Sequence, residues 1–300
     1  MICKLSASAK TTPMKSLFRF SFFPLLAVIL LGNHSAALAD VSTALLAMED
    51  QQNPLLLVNT SQGEIYIELF PAETPENSAN FLALAAGEVE ILNSDSSSSS
   101  RPRYFNGMRF HRVIPGFVIQ AGSPAYQPLG EPSEVLADEI NADFLGLDQL
   151  SVLNPDGSVN ETLNIGSQSD FEQQILIPLY GKMNISTASE LLSRQYDVLS
   201  QLQSLTIKQA YENLGYRYNS NQSSRRVSRG VLALANSGPD SNGPEFFIAL
   251  ADADWLSGKH TVIGKVVEGL NVVDTIGVTA IDATAFSRLS TLIYSVRRAN

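Results

Sequence analysis

The chain has 300 residues, 44% hydrophobic and 17% charged, with 20 Lys and Arg against 30 Asp and Glu for a formal charge of −10. That supplies a core for one large domain or two ordinary ones, and excludes a disulfide-stapled miniprotein or a wholly disordered chain. An acidic balance is a poor basis for gripping phosphates, and one Cys and three His exclude an internal disulfide and leave little for a zinc or His-built metal centre.

Residues 1–39 read as a secretory leader. Lys4, Lys10, Lys15 and Arg19 precede an apolar run at 20–32, and Ala37-Leu38-Ala39 suits cleavage before Asp40. Met14 would serve as an alternative start. A retained anchor would need about 20 apolar residues, more than this run offers. Cleavage would remove four cations and no acid, taking the charge from −10 to −14, and leave no Cys and two His. The expected product is extracytoplasmic, periplasmic or secreted, and soluble.

After a lead-in at 40–54, residues 55–58 and 63–70 read as two strands. Ile65, Ile67 and Leu69 face one way and Glu64, Tyr66 and Glu68 the other, the period of a half-buried strand. A helix follows, with Thr74 as N-cap, Pro75 at its first position and Gly87 as its stop. Residues 93–103 (NSDSSSSSRPR) predict a mobile loop. Strand character recurs at 108–114 and 117–121, either side of Pro115-Gly116, and 122–142 reads as loop.

Residues 146–228 differ in character, being rich in Ser, Gln, Asn and Leu. A short helix is predicted over 168–177, ending before Pro178. Thr187 and Glu190 form a capping-box signature, and Leu192, Tyr196, Leu199, Leu202 and Leu205 predict one amphipathic helix running to Tyr211 or Leu214. Residues 219–228 read as a polar linker. Strands return at 231–235, 245–250 and 261–267, then a helix at 270–276 and a last strand at 291–297. Many short strands with turns and two peripheral helices point to a closed or nearly closed antiparallel sheet.

Two segments crowd polar and aromatic residues into strands: 110–120 (FHRVIPGFVIQ) and 233–260. The turn at Pro115-Gly116 breaks the alternation, so whether Phe117 and Ile119 or Val118 and Gln120 lie beside Arg112 stays open. Singly, each residue has an ordinary structural reading. Arg112 would be a solvated edge residue, Phe117, Phe247 and Leu256 core, His260 a structural histidine and Asn236 turn chemistry.

In order, however, FHRVIPGFVIQAG (110–122), LALANSGPDSNGPEFFIAL (232–250), WLSGKHTVIGKVVEGLNVVDTI (255–276) and GEIYIELFPAETPENSANFLALAAGE (63–88) resemble the cyclophilins, a family of peptidyl-prolyl cis/trans isomerases. The resemblance covers 55–145 and 229–297. It implies a mainly β fold, an eight-stranded antiparallel β-barrel with capping helices, interrupted by a partly helical insertion at 146–228. It assigns Arg112 as the catalytic guanidinium, Gln120 as its orienting partner, and Phe117, Phe247 and Leu256 as walls of a proline pocket, with Val118 where the family usually has Met. Ala235 and Asn236 would hold substrate backbone, and His111, Trp255 and His260 would line the groove.

The reaction suits this inventory. Rotation about an X–Pro bond breaks no covalent bond, so no metal, cofactor or nucleophile is expected. It needs a dry slot for the ring and a donor for the twisted amide nitrogen. A hydrolase using His111 or His260 lacks a spaced nucleophile. The expected partners are proline-containing polypeptides; nucleic acid and, after leader removal, membrane are not, and a monomer is expected. Glu245 departs from the family's Gln, where an added negative charge should weaken activity on acidic peptides. The family's Gly-rich loop is poorly matched at 121–137. The insertion is read either as a client-docking arm or lid or as a subdomain packed on the barrel; the rival function is a client-binding chaperone module whose isomerase activity is incidental.

Overall fold

The alternation at 55–69 folds as a hairpin: β1 (Leu55–Thr60) and β2 (Gly63–Leu69) pair antiparallel from Leu55↔Glu68 to Thr60↔Gly63. The computed structural model describes residues 39–92, 98–124, 131–132, 134–279 and 290–300; the predicted leader therefore lies outside the described residues except for Ala39, as do 93–97 of the serine-rich segment. Ile65, Ile67 and Leu69 enter the core as expected. The other face of β2 does not meet solvent: Tyr66 is 5% exposed and Glu68 0%. What covers it is the lead-in, where Val41–Ala47 forms helix α1, capped by the Asp40 carboxylate. Ala44 and Met48 pack on Leu55, Leu57 and Tyr66. The buried Glu68 carboxylate is satisfied by the amides of Glu49 (2.9 Å) and Asp50 (3.0 Å) and by Asn53 Nδ2 (2.8 Å).

Helix α2 (Pro75–Ala86) has Thr74 at its N-cap, yet the Thr74 hydroxyl turns back to Phe70 O and Ser78 Oγ. The open amides of Glu76 and Asn77 are instead taken by the Glu139 carboxylate, at 3.1 and 2.9 Å. An anion at this positive helix end does what a local cap would do. Gly87 ends α2 in the left-handed region.

The remaining strands, in chain order, are β3 (Ile91–Leu92), β4 (Ser99–Ser100), β5 (Arg112–Ile114), β6 (Val118–Ala121), β7 (Glu131–Pro132), β8 (Val231–Leu234), β9 (Phe246–Ala249), β10 (Val262–Glu268) and β11 (Ile293–Arg298). Eight form one antiparallel sheet in the order β11-β1-β2-β10-β8-β9-β6-β5, and β4-β3-β7 form a small second sheet. The large sheet curls until its edges meet. Arg109 bridges Leu292, with Phe110 N–H donating to Thr291 O (3.1 Å) and Ile293 N–H to Met108 O (2.7 Å). The predicted strand at 108–114 is thus split between this seam and β5. Phe81 stacks on Phe105 at 4.7 Å, and Phe246 meets Phe81, Phe105 and Phe110 edge-on at the barrel's centre.

The segment between β7 and β8 has its own core, with Leu147, Val152, Leu205, Ile207 and Tyr211 among its buried members. Its helices differ from expectation. The first does not stop before Pro178: α3 (Gln168–Phe171) continues through a π-helical turn (Glu172–Leu176) into α4 (Ile177–Lys182). Pro lacks an N–H and its ring presses on the preceding turn, and the wider turn upstream accommodates both. The long amphipathic helix is three: α5 (Ala188–Ser193), α6 (Gln195–Ser204) and α7 (Ile207–Asn213). The Thr187–Glu190 capping box forms, but Thr206 and Gln209 form a second one that restarts the chain. Leu192, Tyr196 and Leu199 are consequently 70, 78 and 49% exposed, while Leu205 is buried. Helix α8 (Leu270–Gly277) closes on the barrel beside Leu250.

The stretch at 219–228 is not a loose linker. Val227 is fully buried, and Arg225 Nε and Nη2 donate to Glu73 Oε1 (2.9 and 2.8 Å) while Nη2 also reaches Glu49 Oε2 (2.8 Å). The Arg225 guanidinium lies 3.7 Å above the Phe70 ring. Hydrogen bonds from Arg225 and then Lys265 hold the Glu49 carboxyl down to about 2. A carboxyl depressed on folding stabilises above its ordinary value of 4.5, and that contribution is lost as pH falls towards 2. Arg225→Ala should lower the melting temperature by roughly 2–6 °C at pH 7. The gap from the parent chain should narrow in melts below pH 4.5.

Candidate active site

The phase question at Pro115-Gly116 is answered by register. Arg112 on β5 sits opposite Gln120 on β6, and Gln120 opposite Phe247 on β9. Val118 and Gln120 are therefore the set on the Arg112 side, while Ile119 and Ala121 point into the barrel core.

Three polar side chains form a chain of hydrogen bonds across this row. Arg112 Nη1 donates to Gln120 Oε1 at 2.9 Å. Gln120 Nε2 donates to Glu245 Oε1, and His111 Nε2 lies 3.1 Å from the same oxygen. A carboxylate only accepts, so it compels the Gln120 amide to present nitrogen to Glu245 and oxygen to Arg112. Burial pushes the Glu245 carboxyl up, but hydrogen bonds from His111 and Gln120 outweigh it and hold the group below its usual value. Gly122 allows this contact: its φ is +90°, and a Cβ there would collide with the Pro244 carbonyl oxygen next to Glu245. Arg112 itself remains exposed.

Beside the guanidinium lies an apolar surface. Val118 and Phe247 are buried in one cluster against which Phe117, Ala235, Trp255 and Leu256 pack, half-buried. Phe117 and Trp255 stack at 5.7 Å with ring planes 27° apart, and His260 meets Phe247 edge-on at 5.4 Å. His260 Nδ1 is 3.0 Å from Leu234 O, which makes it the donor. Burial pushes the His260 pKa down to about 4, so the ring is neutral at pH 7.

Beyond Gln120 a cavity of about 220 Å³ is lined by Ala235, Asn236, Ser241, Pro244, Glu134 and Glu245, among others. The Ala235 amide is committed to Glu245 O (2.9 Å) and the Asn236 side-chain nitrogen to Lys259 O (2.9 Å). Whatever Asn236 offers a bound chain is therefore not its side-chain N–H group facing Lys259. Two features escape sequence reasoning. Glu245 holds Gln120 and His111 together, which its substitution for Gln hinted at through charge alone. Beneath the cavity, Asp138 accepts from the Asp240 amide (2.9 Å) and Asn242 Nδ2 (3.1 Å), a buried brace in a stretch that reads as loop. Among the described residues no group of His, Cys, Asp or Glu is placed to hold a metal ion, and no helix is long and apolar enough to cross a membrane.

All twelve residues singled out from the sequence lie on or beside this row: Arg112, Gln120, Phe117, His111, Val118, Ala235, Asn236, Glu245, Phe247, Trp255, Leu256 and His260. Comparison with known proteins agrees in family. The peptidyl-prolyl cis-trans isomerase B of Streptomyces anulatus is 27% identical over 224 residues, 74% of this chain and 82% of that protein. The peptidyl-prolyl cis-trans isomerase-like 1 protein of Homo sapiens is 26% identical over 226 residues, 75% of this chain and 81% of that protein. A solved cyclophilin-type isomerase from Cryptosporidium parvum aligns at a TM-score of 0.46 and 18% identity, covering 83% of this chain and 98% of that one. The profile of the cyclophilin-type peptidyl-prolyl cis-trans isomerases matches residues 55–297, so the chain belongs to that family.

Proposed function

We propose that this chain accelerates cis/trans exchange at X–Pro bonds in polypeptides that are still folding, with Arg112 as the group that stabilises the twisted amide. The observation that carries the reading is the Glu245–Gln120–Arg112 chain set beside the Phe117–Phe247–Leu256 surface. A planar amide delocalises its nitrogen lone pair, and rotation faces a barrier of roughly 18–20 kcal/mol. Twisting localises that lone pair. A guanidinium fixed on one side by Gln120 can then donate to it more strongly than to the planar ground state, which is the condition for catalysis.

The apolar row supplies the second half. A proline ring seated against Phe117 and Phe247 anchors one side of the rotating bond, while the chain on the other side swings. Neutral His260 against Phe247 keeps that seat free of charge. Residues upstream of the proline would run towards the cavity beside Ala235 and Asn236, past Glu245 and Glu134. The leader-like sequence at 1–39 is what supports a client pool of exported proteins.

A protease-coupled assay on cis-Pro peptides tests the reading directly: turnover at the uncatalysed rate would end it. Arg112→Ala should lower kcat/KM by roughly 10²–10³-fold, the usual effect of removing one such donor; an unchanged rate would refute the role given to Arg112. Peptides with Glu at the upstream positions should turn over about 3–10-fold more slowly than Lys counterparts at low salt, from one charge contact on the order of 1 kcal/mol. Glu245→Gln should shrink that ratio. Equal rates on both peptides would show that the carboxylates do not read the client.

A further inference from the structure

The insertion approaches the site from behind. The loop Ala253–Thr261 carries Trp255, Leu256 and His260, and its back packs against the inserted segment. Tyr218 Oη donates to Gly258 O at 2.9 Å. Gly258 has φ +87°, and a Cβ there would collide with Leu147 Cδ1 and lie 3.4 Å from the Tyr211 ring. Lys259 Nζ sits 5.0 Å from the centre of that ring. Leu147 and Tyr211 are tied to each other's elements, since the Lys208 amide on α7 donates to Leu147 O (3.0 Å). The chain leaving the insertion adds a second strap. Ala253 N–H donates to Val227 O (2.8 Å), and Val227 N–H to Ser257 Oγ (3.0 Å).

The front of the loop is what the proposed reaction uses. Trp255 stacks on Phe117, Leu256 joins the apolar surface, and Lys259 O receives Asn236 Nδ2. The Gly258 backbone passes between a groove wall and the core of the insertion.

We infer that the insertion is a buttress for the proline-pocket wall, with Tyr218, Tyr211 and Gly258 as positioning residues that set how closely Trp255 and Leu256 approach Phe117. This rests on the isomerase reading for its effect on turnover, but not for its effect on Trp255. The positive φ calls for glycine at 258 in its own right; what ties the loop to the insertion is the Tyr218 hydrogen bond and the Leu147 and Tyr211 side chains packed at its back. The consequence for a client is in binding. A loosened wall grips the ring less well in ground state and transition state alike, so KM should rise while kcat holds.

Trp255 is the only Trp in the chain, so its fluorescence reports this wall without interference. Tyr218→Phe keeps the ring and removes one hydrogen bond. In the full chain it should raise KM for a prolyl peptide about fivefold with kcat within about twofold, and make Trp255 more open to acrylamide quenching. Gly258→Ala should do more, and adding Leu147→Ala should recover part of the loss by clearing the collision. Should Gly258→Ala not fold, Tyr218→Phe alone decides. A lower melting temperature with unchanged KM and unchanged quenching would overturn the inference and leave Tyr218 a stabilising residue only. If the parent chain shows no turnover, the isomerase reading fails, and the quenching comparison still accepts or rejects the buttress.

Discussion

In the proposed mechanism a single exposed cation has to be held still, and much of the molecule can be understood from that requirement. A surface arginine ordinarily samples many rotamers, at a cost in entropy each time it is fixed. Here the cost is met by strand pairing. Three adjacent strands bring Arg112, Gln120 and Phe247 abreast, so guanidinium, amide and ring are placed by backbone register. The amide of Gln120 can face only one way because Glu245 lies beyond it. Placing Glu245 there needs the close approach at Gly122, and β6 lies between β5 and β9 in the sheet.

Much of this was legible in the sequence where the signal is local. Alternation at 55–69 gave the first hairpin, and the aromatic strings at 110–122 and 232–260 marked the site, because residues that serve one groove sit on strands of short, fixed period. What stayed hidden depends on partners far along the chain. Glu68 looks like an outward residue of a half-buried strand, and only the fold of 40–53 covers it. Thr74 looks like a cap, yet Glu139 does the capping. Arg225 looks like part of a polar linker, yet Glu49 and Glu73 await it. Periodicity also oversold one helix: Leu192 to Leu205 keeps its spacing across the break at Arg194, and Thr206 then offers a new start that the apolar pattern does not register.

The insertion shows how an added segment can be tolerated beside a working site. Its own apolar core gives it cohesion, and it meets the barrel at the 253–261 loop, at Val227 and through Arg225 on Glu49, Glu73 and Phe70. Arg112 stays open to solvent, so the groove is not lidded by the addition. The large sheet keeps its strand order around the addition, since β7 belongs to the small second sheet and the inserted residues contribute no strand to the large one.

Strand β1 lies between β2 and β11, with Leu56 paired to Ile67 on one side and to Arg298 on the other. One neighbour is available almost at once, and the other only after more than two hundred residues have followed. Joining strands so distant in sequence costs loop-closure entropy before any contact repays it, and such topologies form slowly. Closure of the barrel is therefore a late event in the life of each molecule. Until β11 docks, one edge of β1 stays open and the seam at Arg109 and Leu292 cannot form. The row of side chains that would attend to other proteins' slow folding thus sits on a barrel whose own last seam is among its slowest contacts to make.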